Sequence, residues 1–457
     1  MRRGLPQNAA RDVRARRSAA PSRTSSGRSS SAPWWHPVLL WAAMLASTAL
    51  LNPIASPGDR DYELIRSVVI AHHLPAGAPS VRPIGLSGAA LLWSPFMLAA
   101  NAGVDVARAR GAHIAADGWS APYRWATAFG AAFYGFLGLW LSYRLARRFA
   151  PPGAALLATI AIWLASSLPV YLYMWPFTAD AAAMFSAALV LTLWLSVRDG
   201  RNSRGRWFVW GLATGLAVAV TLFNAALIAV AGVECLTRLR PKTFVDGAVN
   251  GLMFLAGTAA VVGAALAVQY RIDGVWLTSG HSPIMIWAHP QFVATAFSAE
   301  HGVFLWTPVA LAGALGLIAV IRRDPAIGAM LAAAAGLLFY FVAAYNGPAE
   351  RSYGARLLLP LAPMLLCGLA ALLGAVVGNG RRAAWVAATT AVLLLVLWNG
   401  GLMLQWGSGL IPDQGLVDFR EAAANQIRVV PHAAKDFVIR YVNDRKGLVN
   451  TLERRVP

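Results

Sequence analysis

Apolar runs long enough to cross a bilayer follow one another from Trp34 to Leu404, and they constrain this chain more than any motif in it. Hydrophobic residues make up 58% of the chain and charged residues only 13%, so the runs are not islands in a soluble domain. The reading is an all-α polytopic membrane protein with about eleven transmembrane helices. A net charge of +19 would suggest a nucleic-acid partner in a soluble chain. Here most Lys and Arg sit in short loops between apolar runs, where they set orientation, so no nucleic acid is expected. Cys235 and Cys367 both lie in apolar runs, which argues against a disulfide framework or a thiolate metal site.

Charge then orders the runs. Residues 1–32 are rich in Arg and Ser, as expected of a disordered cytoplasmic tail, and 33–405 form the transmembrane body. The first span, about Trp34 to Leu51, runs outward into a large extracytoplasmic loop, 52–123. Within that loop Ile84–Ala100 is apolar but holds Gly85, Gly88 and Pro95. If it crossed, Arg144, Arg147 and Arg148 would face outside, so it is expected to be a surface helix. The next spans are about Arg124–Tyr143, Gly153–Leu168 and Ala179–Val197. Residues 207–236 pose the same choice, because one crossing would put Arg238, Arg240 and Lys242 outside. Two short spans are expected instead, each about 21 Å long against a core of ~30 Å. The break falls near Thr221–Asn224, with Asn224 as the expected cap. Gly211 and Gly215 form a GxxxG read as close helix packing.

Alternation gives the rest. Spans follow at about 244–268, 302–321, 326–344, 355–377 and 384–404, with outer loops at 269–301 and 345–354. The tail 406–457 is then extracytoplasmic. Every Arg pair or triplet between spans falls inside, and the main acidic sites fall outside.

Ionisable groups beside a bilayer mark a site. The outer candidates are Asp59, Asp61, Glu63, Arg82, Asp180, Asp273, His281, His289, Glu300, His301, Glu350, Arg351, Tyr353 and Arg356, from separate loops on one face. A partly buried carboxylate among them suits a general base, and guanidinium groups suit a phosphate. Blander roles exist. Asp180 and Glu300 have the place of helix-capping carboxylates, Arg82 that of a headgroup anchor, and most Trp residues that of an interfacial belt. The histidines have no metal-ligand spacing, and the outer carboxylates permit a divalent metal without demanding one.

The order of these features resembles the GT-C glycosyltransferases, including the protein O-mannosyltransferases and the lipid A aminoarabinose transferases. One span leads to an outer loop opening on Asp59-Arg60-Asp61-Tyr62, where that family has Asp-Glu. Arg82-Pro83-Ile84-Gly85 echoes its Lys-Pro-Pro element, and the next span ends in Arg-Arg. His301–Pro308, Ser352–Pro360 and Leu410–Gly415 resemble a bacterial branch of the superfamily. The resemblance, over residues 35–425, implies a bacterial inner-membrane transferase using a polyprenyl-phosphate-linked sugar. Its acceptor would be a glycan, lipid or protein. Asp59 matches the family's general base. Arg82, Arg351 and Arg356 are the implied phosphate ligands, with Arg60, Tyr62, Asp180, Glu300, His301 and Tyr353 completing the substrate site. Arg60 stands where the family has Glu; paired with Asp59 it would weaken that base, leaving the task to Asp61. A homologue that binds the carrier without catalysis is the alternative this implies. A transporter is a further one, though charges gathered at one surface and the lack of an internal repeat speak against it.

Overall fold

The structure is a computed structural model that describes residues 33–52, 60–74, 86–200, 203–239, 244–274, 276, 284–346, 352–378, 380–412, 415–445 and 447. Asp59, Arg82, His281, Glu350, Arg351 and the tail 1–32 lie outside the described residues.

Helices dominate: α1 (Trp35–Ser47), α2 (Arg60–Val69), α3 (Gly88–Ala109), α4 (Ala121–Ala146), α5 (Pro152–Leu164), α6 (Asp180–Asp199), α7 (Arg204–Val220), α8 (Ile228–Arg238) and α9 (Phe244–Asp273). They continue with α10 (Phe292–Phe297), α11 (Val303–Trp306), α12 (Pro308–Arg323), α13 (Pro325–Ala343), α14 (Ala362–Val377), α15 (Arg382–Ser408), α16 (Phe419–Arg428) and α17 (Val430–Asn443). One antiparallel pair, β1 (Ile284–Met285) with β2 (Tyr345–Asn346), matches Ile284 to Asn346 and Met285 to Tyr345. Among the described residues, 6 helices are long and apolar enough to cross a membrane by length and composition. The chain is a multi-pass membrane protein by those helices, and the expected eleven spans are not established by that measure. The segment Arg356–Val377 is the central one, with 89% of its apolar window buried. Phe244–Ile272 and Arg382–Ser408, at 17% and 28%, present most of their surface outward, as lipid-facing helices do.

Contacts between helix ends give the bundle two distinct poles. At one, Arg148 at the end of α4 pairs with Asp199 at the end of α6, and Arg323 at the end of α12 donates to the Phe149 carbonyl. At the same pole Arg198 and Arg238 clasp Glu234, at 2.9 and 2.8 Å. Glu234 is only 3% exposed, so a second cation and the Trp194 indole N–H at 3.0 Å are what make its charge tolerable. The opposite pole holds the starts of α2, α4 and α6 and the ends of α1, α13 and α15.

Residues 207–236 form a hairpin between these poles. The Arg238 guanidinium lies over the Trp207 ring at 5.6 Å, so the two ends of the stretch meet. Helix α7 stops at Val220, Thr221 is extended (φ −150°, ψ 134°), and a 3-10 turn at Leu222–Leu227 leads into α8. That turn reaches the far pole, where Phe223 meets Tyr345 at 5.4 Å. The expected break is therefore present, but Asn224 does not cap α8. Its amide donates to the Ala183 carbonyl at 3.3 Å and the Ser186 hydroxyl at 3.2 Å, pinning the turn to α6. Asn224 is fully buried, so protein rather than lipid surrounds its amide. The GxxxG packs as expected: a Cβ on Gly211 or Gly215 would strike the backbone of α9 at Phe254 or Thr258.

The helix expected at 84–100 runs from Gly88 to Ala109, nine residues further than expected at its end. By length and composition it also fits a span. Contacts near its ends bring the chain back to the pole it left. The Tyr62 hydroxyl donates to the Gly118 carbonyl at 2.6 Å, so the chain before and after α3 meets at one pole. Phe96 packs on Gly130 while Asn101 accepts from the Tyr123 hydroxyl at 2.8 Å, so α3 retraces the first half of α4 towards its start. Of its later residues, Asn101 to Arg108, five are exposed, Asp105 and Arg108 among them.

Candidate functional site

Two polar clusters lie at the pole away from the Arg148–Glu234 contacts. The first is the opening turn of α2. Arg60 donates to the Gln269 amide oxygen near the end of α9. Asp61 follows, half-buried, and burial pushes its carboxyl up to about 6, against the opposing pull of Arg60 and the Ser87 hydroxyl. Ser87 holds a left-handed backbone, φ 58°, at the entry to α3, a strained conformation for a residue with a Cβ. Leu86, just before it, donates to the Ala219 carbonyl at 2.7 Å. Gly88, just after, has no room for a Cβ against Ala219 and Val220. The α7 terminus thus fixes the loop that faces Asp61. Tyr62 is fully buried between Phe177 (4.7 Å) and Trp119 (5.2 Å), with its hydroxyl given to Gly118. Burial raises its phenol well above the ordinary range. Glu63 pairs with Arg66 at 2.9 Å.

The second cluster gathers around Arg356. Asp180 is the first residue of α6, but its carboxylate caps no amide ahead of it; it faces Arg356 at 3.9 Å. Arg356 opens the 3-10 segment Arg356–Leu361, and the turn before it depends on Gly354 at φ 60°. Tyr171 anchors that turn. Its hydroxyl donates to the Tyr353 carbonyl and accepts from the Tyr353 amide, both at 3.0 Å. Tyr353 is itself buried, its hydroxyl bonded to the Asn399 side chain at 2.9 Å. A cavity of about 210 Å³ opens beside the turn, lined by Thr295, Glu300, His301, Tyr345, Ser352 and Arg356. Glu300 does not cap α11; its carboxylate accepts from the Gly415 amide at 3.4 Å. Both ring nitrogens of His301 are shielded and have no hydrogen-bond partner among the described residues. Burial, helped by Arg356 and opposed by Glu300, lowers the pKa of its imidazole. A neutral ring offers one donor and one acceptor. The clusters adjoin through Phe177, which packs on Tyr62 and precedes Asp180 by three residues.

Asp180, Glu300, His301 and Arg356 thus come together, and Asp61 and Arg60 sit on the neighbouring loop. Tyr62 and Tyr353 lie beneath the surface, spending their hydroxyls on protein acceptors. His289 is exposed on a turn. Ser87, Gln269, Thr295, Tyr345 and Ser352 join the site without having been singled out from sequence. Among the described residues no group of three His, Cys, Asp or Glu side chains is placed to hold a metal ion.

No protein-family model matches the chain, and no curated protein matches it by sequence. Solved structures do. ArnT from Cupriavidus metallidurans bound to undecaprenyl phosphate is similar with a TM-score of 0.50 at 15% identity, over 92% of this chain and 73% of that one. The fold is GT-C-like. ArnT in the apo state gives 0.50 at 16% identity over 91% and 73%. The archaeal oligosaccharyltransferase AglB from Archaeoglobus fulgidus, in complex with an inhibitory peptide and a dolichol-phosphate, gives 0.47 at 14% over 83% and 58%. On this GT-C-like fold the Asp61 loop and the Arg356 cavity share the pole away from the arginine-ended helices.

Proposed function

We propose that the chain is a membrane-embedded glycosyltransferase that moves a sugar from a polyprenyl-phosphate-linked donor to an acceptor hydroxyl. The acceptor is a glycan, lipid or protein on the extracytoplasmic face of a bacterial cytoplasmic membrane. The observation that carries this reading is the cavity bearing Arg356, His301 and Glu300 beside Asp180 and the Asp61 loop. Its support is the GT-C-like fold, which a protein bound to undecaprenyl phosphate also has.

The chemistry follows from the residue types. A carboxylate takes the acceptor hydroxyl proton as that oxygen attacks the anomeric carbon; the bond from that carbon to the phosphate oxygen breaks, and polyprenyl phosphate leaves. Phosphate is a good leaving group, so the demand falls on neutralising it, and a guanidinium does this best. Arg356 holds that role, with Arg82 and Arg351 as its expected partners, and neutral His301 donates a further hydrogen bond. Asp59 has the family's base position. Asp61 has the environment of a base: half-buried, with a carboxyl raised to about 6. Positive-inside orientation puts the Arg148–Arg238 pole, with the tail 1–32, in the cytoplasm and the tail 406–457 outside.

The second reading, a carrier-binding protein without turnover, draws on Arg60 beside Asp61, which opposes the rise of its carboxyl. Purified protein supplied with radiolabelled polyprenyl-phosphate sugars separates the two. Transfer that is lost in Asp59→Asn or Asp61→Asn, with carrier binding kept, supports the transferase. Binding with no release of carrier phosphate from any donor sugar favours the second.

A further inference from the structure

Helix α15 faces mostly outward, yet it carries one fully buried amide, Asn399. A polar group in an apolar helix is costly unless every atom finds a partner. Asn399 finds them on two other elements. Its amide nitrogen donates to the Leu164 carbonyl at 3.0 Å and the Ser166 carbonyl at 2.6 Å. Helix α5 ends at Leu164, so these are carbonyls that a helix end leaves without a helical amide. Carbonyls only accept, so the nitrogen must face them and the amide oxygen is left for a donor. That donor is the Tyr353 hydroxyl at 2.9 Å, which also reaches the Asn399 backbone carbonyl at 3.2 Å.

Tyr353 is thereby held at both ends. Asn399 takes its hydroxyl, and the Tyr171 hydroxyl bonds its backbone amide and carbonyl, both at 3.0 Å. Trp306 and Trp406 pack on its ring at 5.2 and 5.8 Å. From this fixed point the chain turns at Gly354, and Arg356 follows three residues on, its amide donating back to the Gly354 carbonyl at 3.2 Å. Ser352, Gly354, Ala355 and Arg356 line the cavity, while Tyr353 and Asn399 stand behind it. A guanidinium serves a phosphate only where its backbone puts it, and a shift of about 1 Å is enough to weaken such a contact.

We propose that Asn399 is a positioning residue: through the Tyr353 hydroxyl it holds the turn that presents the Arg356 guanidinium to the carrier phosphate. This rests on the carrier-dependent function proposed above. The test measures binding of undecaprenyl phosphate to the full-length protein in nanodiscs for Tyr353→Phe, Asn399→Leu and Arg356→Ala, singly and in pairs. Tyr353→Phe is the sharper probe, because it removes one hydroxyl and leaves Asn399 on the end of α5. It weakens binding about tenfold, the size of one buried hydrogen bond, and Asn399→Leu weakens it at least as much. Their effects do not add, and neither variant weakens binding further once Arg356 is alanine. A merely structural role gives another pattern: lower melting temperatures, with affinity losses that persist in the Arg356→Ala background. That pattern, or Tyr353→Phe binding as tightly as wild type, overturns the proposal alone. Arg356→Ala binding as tightly as wild type overturns the role of Arg356 and the proposal with it.

Discussion

At the scale of single residues, the proposed chemistry rests on Asp61 and the Arg356 cluster. A base works only when ionised. With its carboxyl raised to about 6, Asp61 gives a transfer rate that climbs as pH rises through about 6 and is lost below it. Asp61→Asn removes that limb and lowers turnover by roughly 10²–10⁴-fold, read from a pH–rate profile. The same shift has a sign for stability. A carboxyl raised above its unfolded value favours the protonated fold, and that contribution is full below the unfolded value and gone above about 6. At pH 7.5 Asp61→Asn therefore melts higher than wild type, and the gap closes as pH falls below 4. Arg356→Ala leaves buried Asp180 without its cation and weakens carrier binding by roughly 10- to 100-fold in a displacement assay. Asp61, Asp180, His301 and Arg356 were legible in the sequence because ionisable side chains at span ends are rare and expensive. Ser87, Thr295 and Ser352 were not, because hydroxyls recur throughout the apolar runs, where most bond their own helix, as Thr159 does to Ala155.

At the scale of elements, the hairpin of α7 and α8 shows how charge betrays geometry. Nothing in the hydropathy of 207–236 separates one tilted span from two short ones; Arg238 does, since it must return to the pole of Arg198. The depth of the turn was not legible. It depends on Asn224 meeting α6, a contact between residues 41 and 38 positions apart. Helix α3 outran its expected end because Asn101, Asp105 and Arg108 read as loop in a search for apolar runs, yet a helix along the surface keeps them in water. Close packing of α7 on α9 makes a further prediction. Gly257 sits against the Phe208 carbonyl with no room for a Cβ, so Gly257→Val forces the helices apart. It costs roughly 1–3 kcal/mol, seen as a lower unfolding temperature in detergent, while Gly263→Val, in open space, is near neutral.

At the scale of the whole molecule, the proposed function divides topology from chemistry between the two poles. One is closed by Arg148–Asp199 and by Arg198 and Arg238 around Glu234; the other carries Asp61, Asp180, His301 and Arg356. Reporter fusions ending after residues 147, 204, 238 and 322 all report the cytoplasm if the poles face as the arginines direct. An external signal at 238 alone would break the hairpin. The C-terminal helices bind the site-bearing pole, where Arg445 donates to the Leu51 carbonyl at 2.6 Å and Gly415 meets Glu300. The most direct test of the central claim is a structure of the protein with undecaprenyl phosphate bound. The account predicts phosphate density within hydrogen-bond reach of the Arg356 guanidinium, inside the cavity shared with His301. Density at the opposite pole, among Arg148, Arg198 and Arg238, would contradict it.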